Sequence, residues 1–516
     1  MARINSNIPS LIAQSRLERN NADLSVRLER LSTGLRINRG KDDPAGLIIS
    51  ERLRSDIEGV GQGIKNAERA SSVLATTEAS LTEINDLLNT INALVVEAAN
   101  SGANSEEERR ANQLQIDSAV ESITRIANTA SFGGMKLLDG SRDYTLSGMD
   151  TAAIGRAKVT SALFTDNQPI GVEVDVLASA QRGALYLNGD IAPVPGQIAS
   201  TVTLEVRGPN GVTTLRFASG TSLQRIVDAV QNASPITGVR AELINGNVNS
   251  GIAFRSEGYG TNSFVSIQRL DVPTPSELGG WQTYSFPDDA EYAPQDPFDW
   301  NDPSLSRTSR DKGRDVVALV NGNLANGRGL EISVNSATLG VEILLDELFA
   351  TDPTSDPSEF QITGGGSIFQ LGPKINASQQ INVGVPSVAA SSLGGSFVNG
   401  KLAFLSSITT GSGNSIPESF QRNDFSAISE IVQKSIDEIS ILRGRLGAFE
   451  RNTLETNKRS LQAAFENLSA SSSQIRDADF AFETSALTRS QILSSSGTTI
   501  LGLANQQSQQ VLQLLG

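Results

Sequence analysis

The chain has 516 residues, 42 Lys and Arg against 57 Asp and Glu, a formal charge of −15, and neither His nor Cys. The acidic balance argues against a general nucleic-acid binder, which carries a basic footprint. The two absences exclude Cys/His zinc sites, Ser–His and Cys–His nucleophile pairs and disulfide frameworks, and 5% aromatic residues leave few aromatic-lined pockets.

Residues 1–40 place Ile4, Ile8, Leu11, Leu17, Leu24, Leu28, Leu31 and Leu35 at helical spacing. No apolar run of about 7–15 residues follows the basic start, so a secretory signal peptide is not predicted. No stretch approaches the roughly 18–20 apolar residues that span a bilayer, and no membrane insertion is expected. The first 40 residues hold seven Arg against three acids in an otherwise acidic chain. That excess favours docking on acidic surfaces of neighbours, with a solvated basic face as the competing reading.

A long helix is predicted from Pro44, with Asp43 as its cap and proline at the first helical position. Leu53, Val60, Ala67, Leu74, Leu81, Leu88 and Val95 recur every seven residues, flanked by Ile57, Ile64, Ile84, Ile91 and Ala98. Sustained heptads predict coiled-coil packing. Through Asn100 the helix would be about 80 Å long at 1.5 Å per residue, a rod. A second helix, roughly 105–130, opens on a Ser105-x-x-Glu108 capping box and carries Leu114, Ile116, Val120, Ile123 and Ile126.

From about 140 to 420 lie most of the Gly and nearly all the remaining Pro, and this middle reads as mixed α/β. Val202, Leu204 and Val206 alternate as a strand, and Pro209-Asn210-Gly211 turns the chain toward a second strand at 212–217. A short helix with Leu223, Ile226, Val227 and Val230 precedes strands near 239–243, 252–254 and 264–270. The acidic, Pro-rich stretch 286–303 lacks a Ca²⁺-loop spacing and is predicted to be a solvated loop. Gly364-Gly365-Gly366 is predicted to be a flexible turn rather than a phosphate cradle.

Pro is absent from about residue 423 onward, where helical periodicity returns. Phe425, Val432, Ile439 and Leu446 form one seven-spaced series, beside Ile428, Leu442 and Phe449; the register then shifts to Leu454, Leu461, Leu468 and Ile475, a stutter-like break. The last segment, 486–516, carries Leu487, Leu493, Ile500, Leu501, Leu503, Val511, Leu512, Leu514 and Leu515. Helical zones at the two ends are expected to pack on each other. The extreme ends have apolar stripes without an evident folded neighbour inside the chain, so they are expected to be marginal alone and to need a partner.

No Walker loop or dinucleotide-binding fingerprint stands between a strand and a helix. A carboxylate pair is left open by sequence, because Asp and Glu are plentiful. No catalytic, metal or cofactor site is predicted, and long apolar seams point to assembly instead.

The segments 41–84 (KDDPAGLIISERLRSDIEGVGQGIKNAERASSVLATTEASLTEI) and 131–141 (SFGGMKLLDGS) resemble the N-terminal region of bacterial flagellins. The segments 441–455 (ILRGRLGAFERNTLE), 474–493 (QIRDADFAFETSALTRSQIL) and 503–516 (LANQQSQQVLQLLG) resemble the C-terminal region. FQLGPKINASQQINV (369–383) is similar to the family segment that returns into the helical rod, and 221–270 resembles more weakly the repeat called the flagellin hook IN motif.

The resemblance implies a fold that is mainly α at both ends, long coiled-coil helices forming a rod, with an inserted α+β, β-rich variable outer domain. It implies an inner, channel-lining helix at 1–44, rod halves at 45–165 and 367–471, the outer domain at 166–366, and a second inner helix at 472–516. The inner-helix assembly seam would be Ile4, Ile8, Leu11, Leu17, Leu24, Leu28, Leu31, Leu35, Leu493, Ile500, Leu503, Val511, Leu512 and Leu515. The rod seam would be Leu53, Val60, Leu74, Leu81, Leu88, Val95, Val432, Ile439, Leu446, Leu454, Leu461 and Leu468.

Implied partners are further copies in a helical homopolymer, the flagellar export apparatus, a flagellin export chaperone, and the filament cap and hook–filament junction proteins. The implied role is the extracellular flagellar filament of a motile bacterium, reached by type III export in an unfolded state. A hook–filament junction protein, which shares the helical ends, is the alternative; a metallopeptidase-bearing flagellin would need a His-Glu-x-x-His motif that a His-free chain lacks. In flagellins recognised by the Toll-like flagellin receptor of animals, the contacting segment reads close to QRVRELAVQ. The matching NTINALVVE (89–97) keeps Leu94 and Val96 but has Thr90 and Asn92 where the arginines would stand, so weak activation is predicted.

Overall fold

The computed structural model describes residues 7–100, 104–164, 168–188, 195–271, 282–286, 300, 302–336, 338–398, 401–422 and 424–515, with side chains of the last helix described through residue 507. In chain order its α-helices are α1 (Ile8–Thr33), α2 (Pro44–Ala99), α3 (Glu106–Thr129), α4 (Leu223–Asn232), α5 (Ser234–Thr237), α6 (Glu347–Thr351), α7 (Ile416–Arg422), α8 (Ser426–Phe449), α9 (Glu455–Arg476) and α10 (Phe480–Leu515).

Local chemistry sets their ends. Asn7 accepts from the Ser10 amide at 3.2 Å to open α1, and Gly34 closes it in the left-handed region at φ 72°, where glycine carries no Cβ penalty. Asp43 Oδ1 accepts from the Gly46 amide at 2.8 Å at the start of α2. A capping box between Ser105 and Glu108 opens α3. Between α8 and α9 a π-helical turn, Glu450–Leu454, absorbs one extra residue. The step from Leu446 to Leu454 is therefore eight residues rather than seven, and both remain buried.

The chain forms two compact units. The first comprises Met1–Ala70, Gln370–Gln379 and Arg451–Gly516. In it α1 lies against α10. The turn after α1 is tied to the end of α9: the Arg36 amide donates to the Arg476 carbonyl at 2.7 Å, the Ala478 amide to that of Gly34 at 2.9 Å, and Leu35 bridges Asp477. Residues 370–379 are held between α2 and α9 by Asn66, which donates to the Gln370 carbonyl, and Asn457, which donates to that of Leu371. Gly59 and Gly63 allow this approach. A Cβ at Gly59 would lie 3.0 Å from Pro373 Cβ, and one at Gly63 would lie 3.1 Å from both the Leu371 carbonyl and Leu461 Cδ1.

The second unit comprises Ser71–Phe369 and Gln380–Glu450. In it α3 packs on α7, and Arg443 of α8 pairs with Glu78 of α2 at 2.8 Å. Leu81, Ile84, Leu88, Ile91, Ala98, Ile123, Ile428, Val432 and Ile439 are fully buried. Buried Gln113 stitches α3 to the loop before α7, donating to the Ile408 carbonyl and accepting from the Ile416 amide at 2.7 Å.

Two β cores complete the unit. One is a sandwich of antiparallel sheets. Its first sheet runs Asn323–Leu324, Val317–Val320, Ile170–Ala178, Ser358–Gly365, Tyr144–Ser147; its second runs Asn326–Arg328, Glu331–Asn335, Leu339–Leu345, Ile154–Ala162. Alternate residues such as Val172, Val174 and Val176 face Ile154, Val341 and Ile343 in the shared core. The other core packs α4, through Leu223, Ile226, Val227 and Val230, against Val202–Arg207, Val239–Leu243, Ile252–Ser256 and Phe264–Arg269.

Three expectations need correction. Strands Tyr144–Ser147 and Ile154–Ala162, placed by sequence in the rod half 45–165, belong to the sandwich, because their alternate residues fill its core. Gly364 and Gly365 end strand Ser358–Gly365 and only Gly366 bends the chain, so the cluster is not a flexible turn: Gly365 has φ 93°, and a Cβ there would sit 2.3 Å from the Asp143 carbonyl oxygen. The helix 1–40 stops at Thr33, so Leu35 is not helical. Most of the acidic stretch 286–303, namely 287–299 and 301, lies outside the described residues.

Candidate assembly interface

The face that α1 turns toward α10 has a regular pattern. Ser10, Ala13, Leu17, Asn20, Leu24, Arg27 and Leu31, spaced alternately by three and four, are all buried or half-buried. On α10 the matching set is Glu483, Leu487, Ser490, Ser494, Gly497, Leu501 and Ala504. This is a coiled-coil seam in which nine of the fourteen positions are polar or small.

Polar contacts run along it. Asn7 donates to the Ala504 carbonyl at 3.1 Å and Ser10 to Asn505 at 2.7 Å. Ser494 donates to Asn21 at 2.7 Å and Ser490 to Asp23 at 2.9 Å. Glu483, only 3% exposed, receives Arg27 at 2.9 Å and Arg30 at 3.0 Å. Burial pushes the Glu483 carboxyl up, but the hydrogen bonds and charges of Arg27 and Arg30 outweigh it and hold the group below the ordinary Glu value. Gly497 sits under Leu17, where an added Cβ would lie 3.2 Å from Leu17 Cδ1.

Two expectations change accordingly. The terminal helices have a partner inside the chain, each other, because the seam residues are polar and small enough to interlock. The arginines of the N-terminal segment do not all await an acidic neighbour, since Arg27 and Arg30 are spent on Glu483 and Arg39 pairs with Glu29 at 2.9 Å.

The apolar stripe divides between two faces. Leu17, Leu24 and Leu31 are half-buried on the α10 side. Ile8, Leu11, Ile12 and Leu28 of α1 and Ile492, Leu493, Ile500 and Leu503 of α10 are exposed, Leu11 by 60% and Leu503 by 61%. A cluster of large apolar side chains in water marks an interaction surface. Ile4 lies outside the described residues, as do the side chains of Val511, Leu512 and Leu515.

Of the rod positions in the first unit, Val60, Leu454 and Leu461 are buried while Leu53 and Leu468 are half-buried. In the second unit Leu74, Leu81, Leu88, Val95, Val432, Ile439 and Leu446 are all buried. At the receptor-like segment Leu94 is buried in the bundle, Val96 is 64% exposed, Thr90 is exposed and Asn92 half-buried. The Thr90 hydroxyl donates to the Asp86 carbonyl at 2.9 Å, back along its own helix.

Sequence reasoning missed Ala13, Asn20, Arg27, Glu483, Ser490 and Gly497, because the search followed Leu and Ile. The available signal was the seven-residue spacing of Glu483, Ser490, Gly497 and Ala504.

Among the described residues, no group of His, Cys, Asp and Glu could hold a metal ion. No described helix is long and apolar enough to cross a membrane. Paired terminal helices with outward apolar rows, joined to long heptad helices and carrying inserted β cores, define a helical-ended assembly protein.

Two family models match the chain: the bacterial flagellin N-terminal helical region over residues 4–143 and the bacterial flagellin C-terminal helical region over 429–515. Flagellin of Salmonella muenchen is 28% identical and flagellin B of Helicobacter pylori 27% identical, each alignment covering 99% of both chains. Flagellin of Bacillus subtilis is 36% identical over 37% of this chain and 62% of its own length. The chain belongs to the bacterial flagellins.

Proposed function

We infer that this chain is a structural subunit that polymerises into the bacterial flagellar filament through its terminal helices. The observation that carries the reading is the exposed apolar set on the paired helices, Ile8, Leu11, Ile12 and Leu28 with Ile492, Leu493, Ile500 and Leu503. Burying each such side chain against another copy contributes about 1.5–3 kcal/mol before ordering costs. The hook–filament junction alternative is not favoured, since relatives matching 99% of the chain are flagellins.

On this reading the chain is not an enzyme. It leaves the cell unfolded through the flagellar export apparatus with an export chaperone, and it works extracellularly between the hook–filament junction and the cap. Residues 1–44 and 472–516 are the inner segments, and the heptad positions of α2, α8 and α9 hold the subunit's own helices together. Purified protein at raised salt should sediment and show filaments by negative stain. Ile8→Ser, Leu11→Ser and Leu503→Ser combined should abolish sedimentation while leaving the circular dichroism of the monomer unchanged. Filaments of normal length from that variant would refute the assigned surface.

A further inference from the structure

Two sheets of the second unit bury one face and turn the other to water, as antiparallel sheets can. The first runs Asn323–Leu324, Val317–Val320, Ile170–Ala178, Ser358–Gly365, Tyr144–Ser147, with Val172, Val174, Val176, Ala318 and Phe360 inward in the sandwich core. Alternation puts Glu173, Asp175 and Leu177 on the outer face, with Val317 beside them and Glu359 across from Glu173. None of the five strands contains Lys or Arg. Leu177 is 52% exposed and Leu324, in the edge strand, 70%. Glu173 and Glu359 are direct cross-strand partners and both exposed. Opposed like charges weaken a sheet, so this pair is a cost to the subunit alone.

The second sheet, Arg310–Lys312, Phe264–Arg269, Val202–Arg207, Val212–Phe217, has the opposite sign. Leu204, Val206, Val265 and Ile267 point into the core that α4 covers. Alternation leaves Arg207, Arg216, Arg310 and Lys312 on the outer face, all exposed, against one acid, Glu205. Arg310 lies over the Phe264 ring at 4.4 Å, which joins an apolar surface to the cations. The nearest approach of Arg207 to Glu205 is 4.0 Å. Because both outer faces are exposed, neither covers the other within the chain.

We propose that the acidic face of one copy, Glu173, Asp175 and Glu359 beside Leu177, Val317 and Leu324, docks on the basic face of a second copy, Arg207, Arg216, Arg310 and Lys312. Complementary charge chooses the partner and sets its orientation, and the apolar side chains gain by burial. Two different patches meet, so the contact is heterologous and can repeat along an open polymer without closing. It gives the opposed Glu173 and Glu359 the cations that their own sheet lacks. The proposal rests on the filament reading above, which brings copies close together. The contact is accessory, since the terminal helices drive polymerisation.

The chain has no Cys, so single introduced cysteines report the contact. Gln361→Cys marks the acidic face and Thr214→Cys the basic one, both at exposed positions. The two full-length variants are mixed, polymerised at raised salt and treated with a short bismaleimide; concentrated soluble protein is treated in parallel. The mixture should give cross-linked dimer, and neither variant alone should. Glu173→Lys with Glu359→Lys in the first variant should cut the yield at least about fivefold, as should Arg310→Glu with Lys312→Glu in the second. Both reversals together should restore it to within about twofold, and sedimentation should be unchanged throughout. Glu359→Lys alone sets opposite charges across the strand pair. The thermal midpoint of the monomer should then rise while the dimer yield falls, a combination that damage to the fold does not produce.

Filaments without mixed dimer would overturn the contact and leave the basic face to another occupant, an acidic segment or partner. Dimer as abundant from one variant alone as from the mixture would show that like faces meet, against the proposal. Yields indifferent to charge reversal would remove these faces as the cause. A chain that never sediments refutes the filament reading instead, and the soluble mixture then decides the faces by the same yields.

Discussion

Two glycines two residues apart in α2, Gly61 and Gly63, show how opposite effects can arise from the same substitution. Glycine inside a helix costs about 0.5–1 kcal/mol relative to alanine. At Gly61 the nearest atom to an added Cβ is Phe465 Cε2 at 3.8 Å, an ordinary contact. Gly61→Ala should therefore raise stability by about 0.5–1 kcal/mol. At Gly63 the new Cβ would press on the Leu371 carbonyl and Leu461 Cδ1, both at 3.1 Å. The carbonyl cannot yield freely, because Asn457 donates to it at 3.0 Å and the Leu371 amide is itself bound to the Gln379 carbonyl. Crowding then outweighs the helix gain, and Gly63→Ala should lower stability by about 1–2 kcal/mol. Thermal unfolding of the two variants should shift in opposite directions; a rise in both would show that the return segment gives way. Thr90 is also a residue-scale matter. It is exposed but bonded to its own helix, and Asn92 is half-buried. Receptor activation by the monomer should be weak in a reporter-cell assay. Thr90→Arg with Asn92→Arg should raise it roughly ten- to a hundredfold, the worth of a charge-assisted hydrogen bond; full potency without the change would count against the assignment.

At the scale of elements, what could be read from sequence depended on whether the apolar residues alone decide the packing. They do in α2 and α8, where Leu81, Leu88 and Ile439 are fully buried. They do again at the step from Leu446 to Leu454, where the sequence register break coincides with the π-helical turn. The terminal pairing was illegible because Glu483, Arg27 and Ser490 occupy its seam while Leu11 and Leu503 face water, the reverse of the usual sorting. The start of the sandwich was marked by the composition change near residue 140, but not its pairing: the place of Ile154–Ala162 follows from a partner strand, Leu339–Leu345, nearly two hundred residues later. That pairing makes a deletion experiment informative. Gln181 and Arg314 exchange backbone hydrogen bonds at 3.0 and 2.9 Å, so the chain enters and leaves the α4-containing core at one point. Replacing 182–313 by a short glycine linker should leave the sandwich folded and the protein able to polymerise. Removing 180–360 instead takes away Leu339–Leu345 and the first three residues of Ser358–Gly365 and strands their partners, so that protein should aggregate through unpaired edges. Equal behaviour of the two deletions would mean that the sandwich is not an independent core.

At the scale of the whole molecule, acid acts on two carboxylates, one in each unit: Glu483, buried, and Glu438, half-buried. Glu483 faces Arg27 and Arg30, with Asp23 beside Arg27. Glu438 on α8 faces Arg156 at 2.9 Å and Lys158 at 3.0 Å, both from strand Ile154–Ala162, with the Gly394 amide at 3.4 Å. For each, burial pushes the carboxyl up, but the paired cations prevail and leave it below the ordinary Glu value of 4.5. A group whose folded value is depressed binds protons more readily when unfolded. It therefore stabilises the fold above 4.5 and loses that contribution as pH falls through the folded value. Asp143, which burial pushes above its ordinary value, works in the opposite sense and offsets part of the loss. Acid also neutralises a net charge of −15, which weakens repulsion between copies. Sedimentation would mix the two effects, so the thermal midpoint of dilute monomer is the better measurement. From pH 7 downward the midpoint should hold until about pH 4.5 and then fall, with a weaker dependence on salt than exposed pairs would give because both pairs are largely shielded from solvent. Glu483→Gln and Glu438→Gln should each begin lower at pH 7 and fall less steeply, meeting the unaltered protein once its own carboxylates are protonated. Curves for the glutamine variants that run parallel to the unaltered one would show that other groups govern the acid response.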